Sequence, residues 1–156
     1  MADDYSNDIA TTGQLTVNEA LTASVDATGD QDWFAVELQA GVQYRIDATG
    51  ALSSDGTVND PHLGGIFDAA GSEVVGANYS GGLGREARLW FTPETSGTYF
   101  VSAGVAEGVS PRDGESTYQI RVANADGWDD APGDATSAVR LDPTEPESVF
   151  QGEIDE

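Results

Sequence analysis

Residues 29–41, Gly-Asp-Gln-Asp-Trp-Phe-Ala-Val-Glu-Leu-Gln-Ala-Gly, constrain this chain more than any other stretch. Phe34, Val36 and Leu38 fall on one side of it, and Trp33, Ala35 and Glu37 on the other. A period of two marks a half-buried β-strand, because successive side chains of an extended backbone point to opposite faces. Asp30 and Asp32 stand at the mouth of the strand and Gly41 stops it. Two carboxylates so placed are the first place to look for a metal ion.

The same period recurs along the chain. It predicts strands over 14–17, 21–25, 33–38, 42–48, 63–67, 73–77, 87–91, 98–103 and 117–122. Tyr44, Ile46 and Ala48 share a face, as do Tyr99, Val101 and Ala103, and again Tyr118, Ile120 and Val122. Between the strands lie Asn18-Glu19, the loop 49–60, Asp68-Ala69-Ala70-Gly71, the glycine-rich loop 78–84, the turn 93–97 and the loop 104–115. Gly71 suits a positive φ. No stretch keeps a 3.6-residue apolar period for long. The expected fold is all-β: a jelly-roll-like antiparallel β-sandwich of eight to nine short strands.

The 156 residues suffice for one domain with additional chain. Residues 1–124 form the expected sandwich with an acidic lead-in. Residues 125–156 are acidic, proline-bearing and weakly apolar, which by composition suits a linker or tail. A second reading is a repeat. Asp129-Asp130-Ala131-Pro132-Gly133-Asp134-Ala135-Thr136 echoes Asp3-Asp4-Tyr5-Ser6-Asn7-Asp8-Ile9-Ala10, and Leu141 lies opposite Leu15 at the same offset. Val149-Phe150-Gln151-Gly152-Glu153-Ile154-Asp155 then resembles the approach to the acidic turn at Gly29. On that reading the segment is the truncated start of a second unit in a tandem array.

Charge excludes several functions. Twenty-eight acidic residues oppose six basic ones, all arginine, for a formal charge of −22. Such a surface repels phosphate backbones and anionic lipids, so nucleic acid and anionic membranes are poor partners. It attracts cations. A saline or alkaline habitat explains the same composition without a specific site. No apolar run approaches the roughly 20 residues that span a bilayer. Met1-Ala2-Asp3-Asp4 lacks the basic and apolar regions of a leader, so either export does not start at this end or the sequence is an excised piece, expected to be monomeric. Without cysteine there is neither a disulfide nor a thiolate site.

Calcium takes six to eight oxygen ligands from flexible loops. Asp3, Asp4, Asn7 and Asp8 in the lead-in, with Asp30 and Asp32 at the turn, carry such oxygens. They converge if the lead-in lies along the opening of the Trp33 strand. Otherwise Asp30 is a turn residue and Asp32 a solvated strand start. Asp55, Asn59, Asp60 and Asp68 form a second acidic group, for which a structural role of Asp60-Pro61 is favoured. Catalysis is not expected. His62 is the only histidine, beside a proline at a strand start, where a surface position is usual, and no serine sits in a nucleophile elbow. Gly81-Gly82-Leu83-Gly84 has neither a following helix nor a lysine, so it is no phosphate cradle. Trp33, Tyr79, Trp90 and Phe100 fall on outward faces or in loops, where they either bind carbohydrate or protein or cover strand edges.

Several motifs in order carry a family resemblance: Gly29-Asp30-Gln31-Asp32-Trp33-Phe34, Ala40-Gly41-Val42-Gln43-Tyr44, Asp60-Pro61-His62-Leu63, Phe67-Asp68-Ala69-Ala70-Gly71, Ser96-Gly97-Thr98-Tyr99-Phe100-Val101 and Ser116-Thr117-Tyr118-Gln119-Ile120. Over residues 3–123 the chain resembles the bacterial pre-peptidase C-terminal domain. The resemblance implies a non-catalytic sandwich appended to secreted peptidases, or repeated in large exported proteins with haemolysin-type repeats. Its partners would be neighbouring repeats or a catalytic domain of the same polypeptide, and extracellular polysaccharide or protein. The related collagen-binding domains of clostridial collagenases hold Ca²⁺ between an acidic lead-in and this turn, which implies Asp3, Asn7, Asp8, Asp30 and Asp32 as ligands. Tyr5 stands where those relatives offer a carboxylate, which would reorganise coordination around Asp4. Tyr79-Ser80 replaces an acidic pair common in the family. Nothing here implies collagen binding.

Overall fold

The structure, a computed structural model, describes residues 4–78, 81–106 and 116–124. The expected second repeat over 125–156, and Asp3 and Tyr79, lie outside them. Among the described residues there are nine strands and no helix, hence no helix long and apolar enough to cross a membrane. The strands are β1 (Gly13–Gln14), β2 (Ala20–Ser24), β3 (Gln31–Leu38), β4 (Tyr44–Thr49), β5 (Pro61–Phe67), β6 (Glu73–Val75), β7 (Ala87–Phe91), β8 (Gly97–Val105) and β9 (Thr117–Ala123).

They form two sheets, ordered β1-β3-β8-β5-β6 and β2-β9-β4-β7. In the second sheet β9 inserts between β2 and β4. In the first, β8 inserts between β3 and β5. That double insertion is a jelly roll built from β2 to β9. One feature departs from an all-antiparallel sandwich: β1 joins the edge of β3 in parallel, with Gly13 opposite Phe34. Gly13 is required there, because a Cβ would lie 2.7 Å from the Phe34 ring and 2.8 Å from the Trp33 carbonyl oxygen.

The inner faces are those that the alternation predicts. Phe34, Val36 and Leu38 of β3 meet Tyr44, Ile46 and Ala48 of β4 and Tyr118, Ile120 and Val122 of β9 in one buried cluster. Each large apolar side chain so buried contributes about 1.5–3 kcal/mol. Leu63 and Ile66 are both inward although three residues apart, because the register of β5 on β8 shifts between Leu63 and Gly65. The bulge resets the phase of the strand.

β8 is buried on both faces, which its alternation does not announce. On the outer face Trp33 stacks on Phe67 at 3.9 Å between ring centroids and leans on the buried Phe100 at 6.0 Å. Trp33 and Phe100 thus cover the sheet centre. Farther along this face Ser102 Oγ donates to Gln31 Oε1 at 3.0 Å, and Gln31 Nε2 donates to the Val105 carbonyl at 2.6 Å. His62 shares this layer, its Nδ1 3.4 Å from Gln31 Nε2. It is only 6% exposed, correcting the expectation of a surface residue. Burial lowers its pKa, with Asp60 partly opposing the shift.

Two charged features secure the loop after β4 and the outer face of β4. Glu86, 1% exposed, accepts from the Gly50 and Ser53 amides on Oε1 and from Ser53 Oγ on Oε2. It pins the loop after β4. Asp47, on the outer face of β4, is held by Arg45 at 2.8 Å and Arg88 at 2.5 Å.

Candidate metal centre

The lead-in does lie along the opening of β3. The Trp33 amide donates to the Ser6 carbonyl at 3.2 Å, and Thr11 Oγ1 donates to the Trp33 carbonyl at 2.6 Å. Tyr5 packs its ring on Phe34 at 5.0 Å, so the residue that departs from the family pattern anchors the lead-in through apolar contact.

This path brings together three of the six expected ligands and adds one that the sequence reading missed. Asp4 Oδ2 accepts from the amide and hydroxyl of Ser24 at the end of β2, at 3.0 and 3.1 Å. The Asp4 amide donates to Asp26 Oδ2 at 3.2 Å. The Asp26 amide in turn donates to Asp30 Oδ2 at 2.6 Å, closing the turn in which Gly29 has φ +72°. Asp32 follows in β3 and is fully buried, not solvated. Its Oδ2 accepts from the Tyr118 hydroxyl, which also faces the Ala103 carbonyl at 3.1 Å. The chain Ser24–Asp4–Asp26–Asp30 therefore runs beside a carboxylate sunk into the end of the sandwich.

The remaining expected ligands fall elsewhere or beyond the described residues. Asp8 Oδ1 accepts from the Ala10 amide at 2.8 Å and from Ser6 Oγ at 3.2 Å, a local turn. Asn7 is exposed. The second acidic group is not a cluster. Asp68 caps its own turn through the Ala70 and Ser72 amides, Gly71 adopts φ +80° as expected, and Asp60 forms a loose exposed pair with Arg85 at 3.8 Å.

Electrostatics at the acidic end are lopsided. The Tyr118 pKa is raised well above 10, first by burial and then by Asp32, with Asp4 and Asp30 adding to it. Three carboxylate fields thus reach one hydroxyl. Asp26 Oδ1 is buried and accepts no hydrogen bond in the structure. A buried acceptor without a donor costs about 1–3 kcal/mol, and a cation is one means of satisfying it. The charge and this acceptor fit calcium, but no group of three or more His, Cys, Asp or Glu side chains among the described residues is set as a ligand cage. Asp4 and Asp30 spend oxygens on backbone amides instead.

The raised Tyr118 pKa has a consequence at alkaline pH. The unfolded chain releases this proton near pH 10 and the folded chain holds it. Its contribution is therefore complete below about pH 10 and declines above it, by about 1.4 kcal/mol per pH unit until the folded pKa is reached. Tyr118→Phe flattens that decline in urea melts between pH 9.5 and 11, as measured against wild type, while lowering stability at pH 7. An unchanged alkaline slope refutes the assignment.

No protein-family model and no curated sequence matches the chain. Several solved structures resemble it, two of them as follows. A pre-peptidase C-terminal domain of a collagenase from Bacillus anthracis is 11% identical, covering 70% of this chain and 92% of its own, with a TM-score of 0.49. PliG of Aeromonas hydrophila, a periplasmic inhibitor of g-type lysozyme, is 14% identical, covering 72% and 96%, with a TM-score of 0.51. What is shared is the fold.

Proposed function

We propose that this chain is a non-catalytic accessory or repeat module of the pre-peptidase type in a large secreted bacterial protein, stabilised by calcium and serving as spacer, folding support or adhesion unit. The observation that carries the reading is the convergence of Asp4, Asp26, Asp30 and Asp32 where the lead-in crosses the start of β3. Asp4 belongs to the lead-in and Asp26 and Asp30 to the turn before β3, so charge neutralisation at this point fastens the lead-in to the sandwich. Calcium supplies that positive charge when bound. Asp32 holds its place through Tyr118, and Asp3 adjoins the cluster in sequence. Outside the cell, where calcium is abundant, the lead-in becomes a rigid joint to whatever precedes it.

Calorimetric titration with calcium, paired with melting curves in calcium and in chelator, tests the reading. Saturation in the range of about 0.1–1 mM suits extracellular modules, with a higher melting temperature in calcium. No heat of binding and no thermal shift at millimolar calcium would remove it.

One observation favours a second reading, a carbohydrate- or protein-binding module. Trp90 on the outer face of β7 is 45% exposed, whereas Trp33 and Phe100 pack on their own sheet. Binding to a glycan or matrix-protein array that Trp90→Ala abolishes supports this alternative. Calcium stabilisation alone predicts that Trp90→Ala changes nothing on such an array.

A further inference from the structure

Arginine is scarce in this chain, and its placement is uneven. Three of the four arginines among the described residues, Arg45, Arg88 and Arg121, line one depression of about 430 Å³ on the outer face of the β2-β9-β4-β7 sheet. The register makes this a consequence of sheet order: Asp47 lies opposite Arg88 on β7 and opposite Arg121 on β9. Asp47 binds Arg45 and Arg88, and Asp55 also lines the depression. Three guanidinium groups thus face two carboxylates, a local positive surplus on a chain of net charge −22. Anionic groups repelled elsewhere are steered here, and guanidinium groups present paired donors that suit carboxylates.

An acidic segment leaves the sandwich at the rim of this depression. β9 ends at Ala123, and Asn124 exchanges hydrogen bonds with Asn18, at 2.9 Å from Asn18 Nδ2 and 3.1 Å to Asn18 Oδ1. Asn18 itself lines the depression. Asp126, Asp129, Asp130 and Asp134 follow, and Arg140 is the only basic residue from there to Glu156. Arg121 sits three residues back along β9, roughly 10 Å at strand rise. Five or six residues of chain beyond Asn124 cover that distance on a return path.

We infer that the arginine-lined depression on the outer face of the β2-β9-β4-β7 sheet is the docking site for the acidic segment 125–156 of this same chain, held through Asp126, Asp129, Asp130 and Asp134. The contact fixes the direction in which the chain leaves the module. It is independent of the acidic end, so its failure leaves the calcium reading standing.

The absence of cysteine makes the test clean, because Ala131→Cys carries a single nitroxide label on the full chain. At about 50 mM salt the label broadens the amide signals of Arg45, Asp47, Gln119 and Arg121. The broadening is lost at about 1 M salt, where the screening length falls to about 3 Å. It is also lost with Asp129→Asn/Asp130→Asn, which leaves the sandwich untouched, and with Arg121→Gln. No broadening of this face overturns the inference, as does broadening that survives the Asp129→Asn/Asp130→Asn changes. Equal broadening of an unlabelled isotopic copy mixed with the nitroxide-bearing chain assigns the site to a second molecule and overturns it likewise.

Discussion

Asp32→Asn raises the melting temperature of the calcium-free protein and abolishes the further rise that calcium produces. The two effects have opposite signs because one charge does both. Without a cation, the Asp32 carboxylate is fully buried and shares the field at Tyr118 with Asp4 and Asp30. Asparagine keeps the shape and still accepts from the Tyr118 hydroxyl through its carbonyl oxygen. Removing one charge from such a group is worth about 1–3 kcal/mol at an effective dielectric constant of about 20. With calcium at 100 times its dissociation constant, wild type gains about 2.7 kcal/mol by mass action, and the variant forgoes that gain. Scanning calorimetry of both proteins in chelator and in calcium measures all four states. If Asp32→Asn retains the calcium-induced shift, Asp32 has no part in binding.

The second large effect is at Glu86, which holds the loop after β4. Glu86→Ala lowers stability by about 3–5 kcal/mol, because the Gly50 and Ser53 amides lose their charged acceptor. Glu86→Gln costs far less. Both amides donate to Oε1, which glutamine keeps as a carbonyl oxygen, and the Ser53 hydroxyl can turn to accept where it now donates. Urea melts of the two variants give the comparison. An equal loss in both would mean that the charge, and not the hydrogen-bond pattern, secures the loop after β4. Neither change alters the calcium response, since the Gly50 and Ser53 groups that Glu86 binds make no contact with Asp4, Asp26, Asp30 or Asp32.

Much of this fold is legible in the alternation of Phe34, Val36 and Leu38, and of Tyr118, Ile120 and Val122, because burial of one face imposes a period of two on an exposed strand. Eight of the nine strands arise where that period places them, while β1 keeps only Gln14 of the expected 14–17 and adds Gly13. The period weakens where both faces are covered. Phe100 and Ser102 look like solvent-facing positions, yet Trp33 and Gln31 from the neighbouring strand cover them. His62 is buried in that layer for the same reason. A sequence shows which residues alternate, not what lies above the sheet.

The candidate site divides along the same line. Asp4, Asp30 and Asp32 were legible as an acidic lead-in facing an acidic turn. Asp26 was not, although it follows the alternating residues 21–25 and stands four positions before Asp30. Asn7 and Asp8 share the composition of true candidates, but Asp8 turns back on its own backbone. Carboxylates read alike in a sequence whether they cap a turn, pair with arginine or face a cation. By itself, then, the sequence determined the strands, the inward faces and the acidity, since local periodicity and charge suffice for those. Only the tertiary structure decided that Tyr118 reaches Asp32, that Asp26 joins Asp4 and Asp30, and that three arginines share one sheet face. The first and last of those meetings depend on β9 inserting between β2 and β4, a long-range pairing that no local pattern encodes.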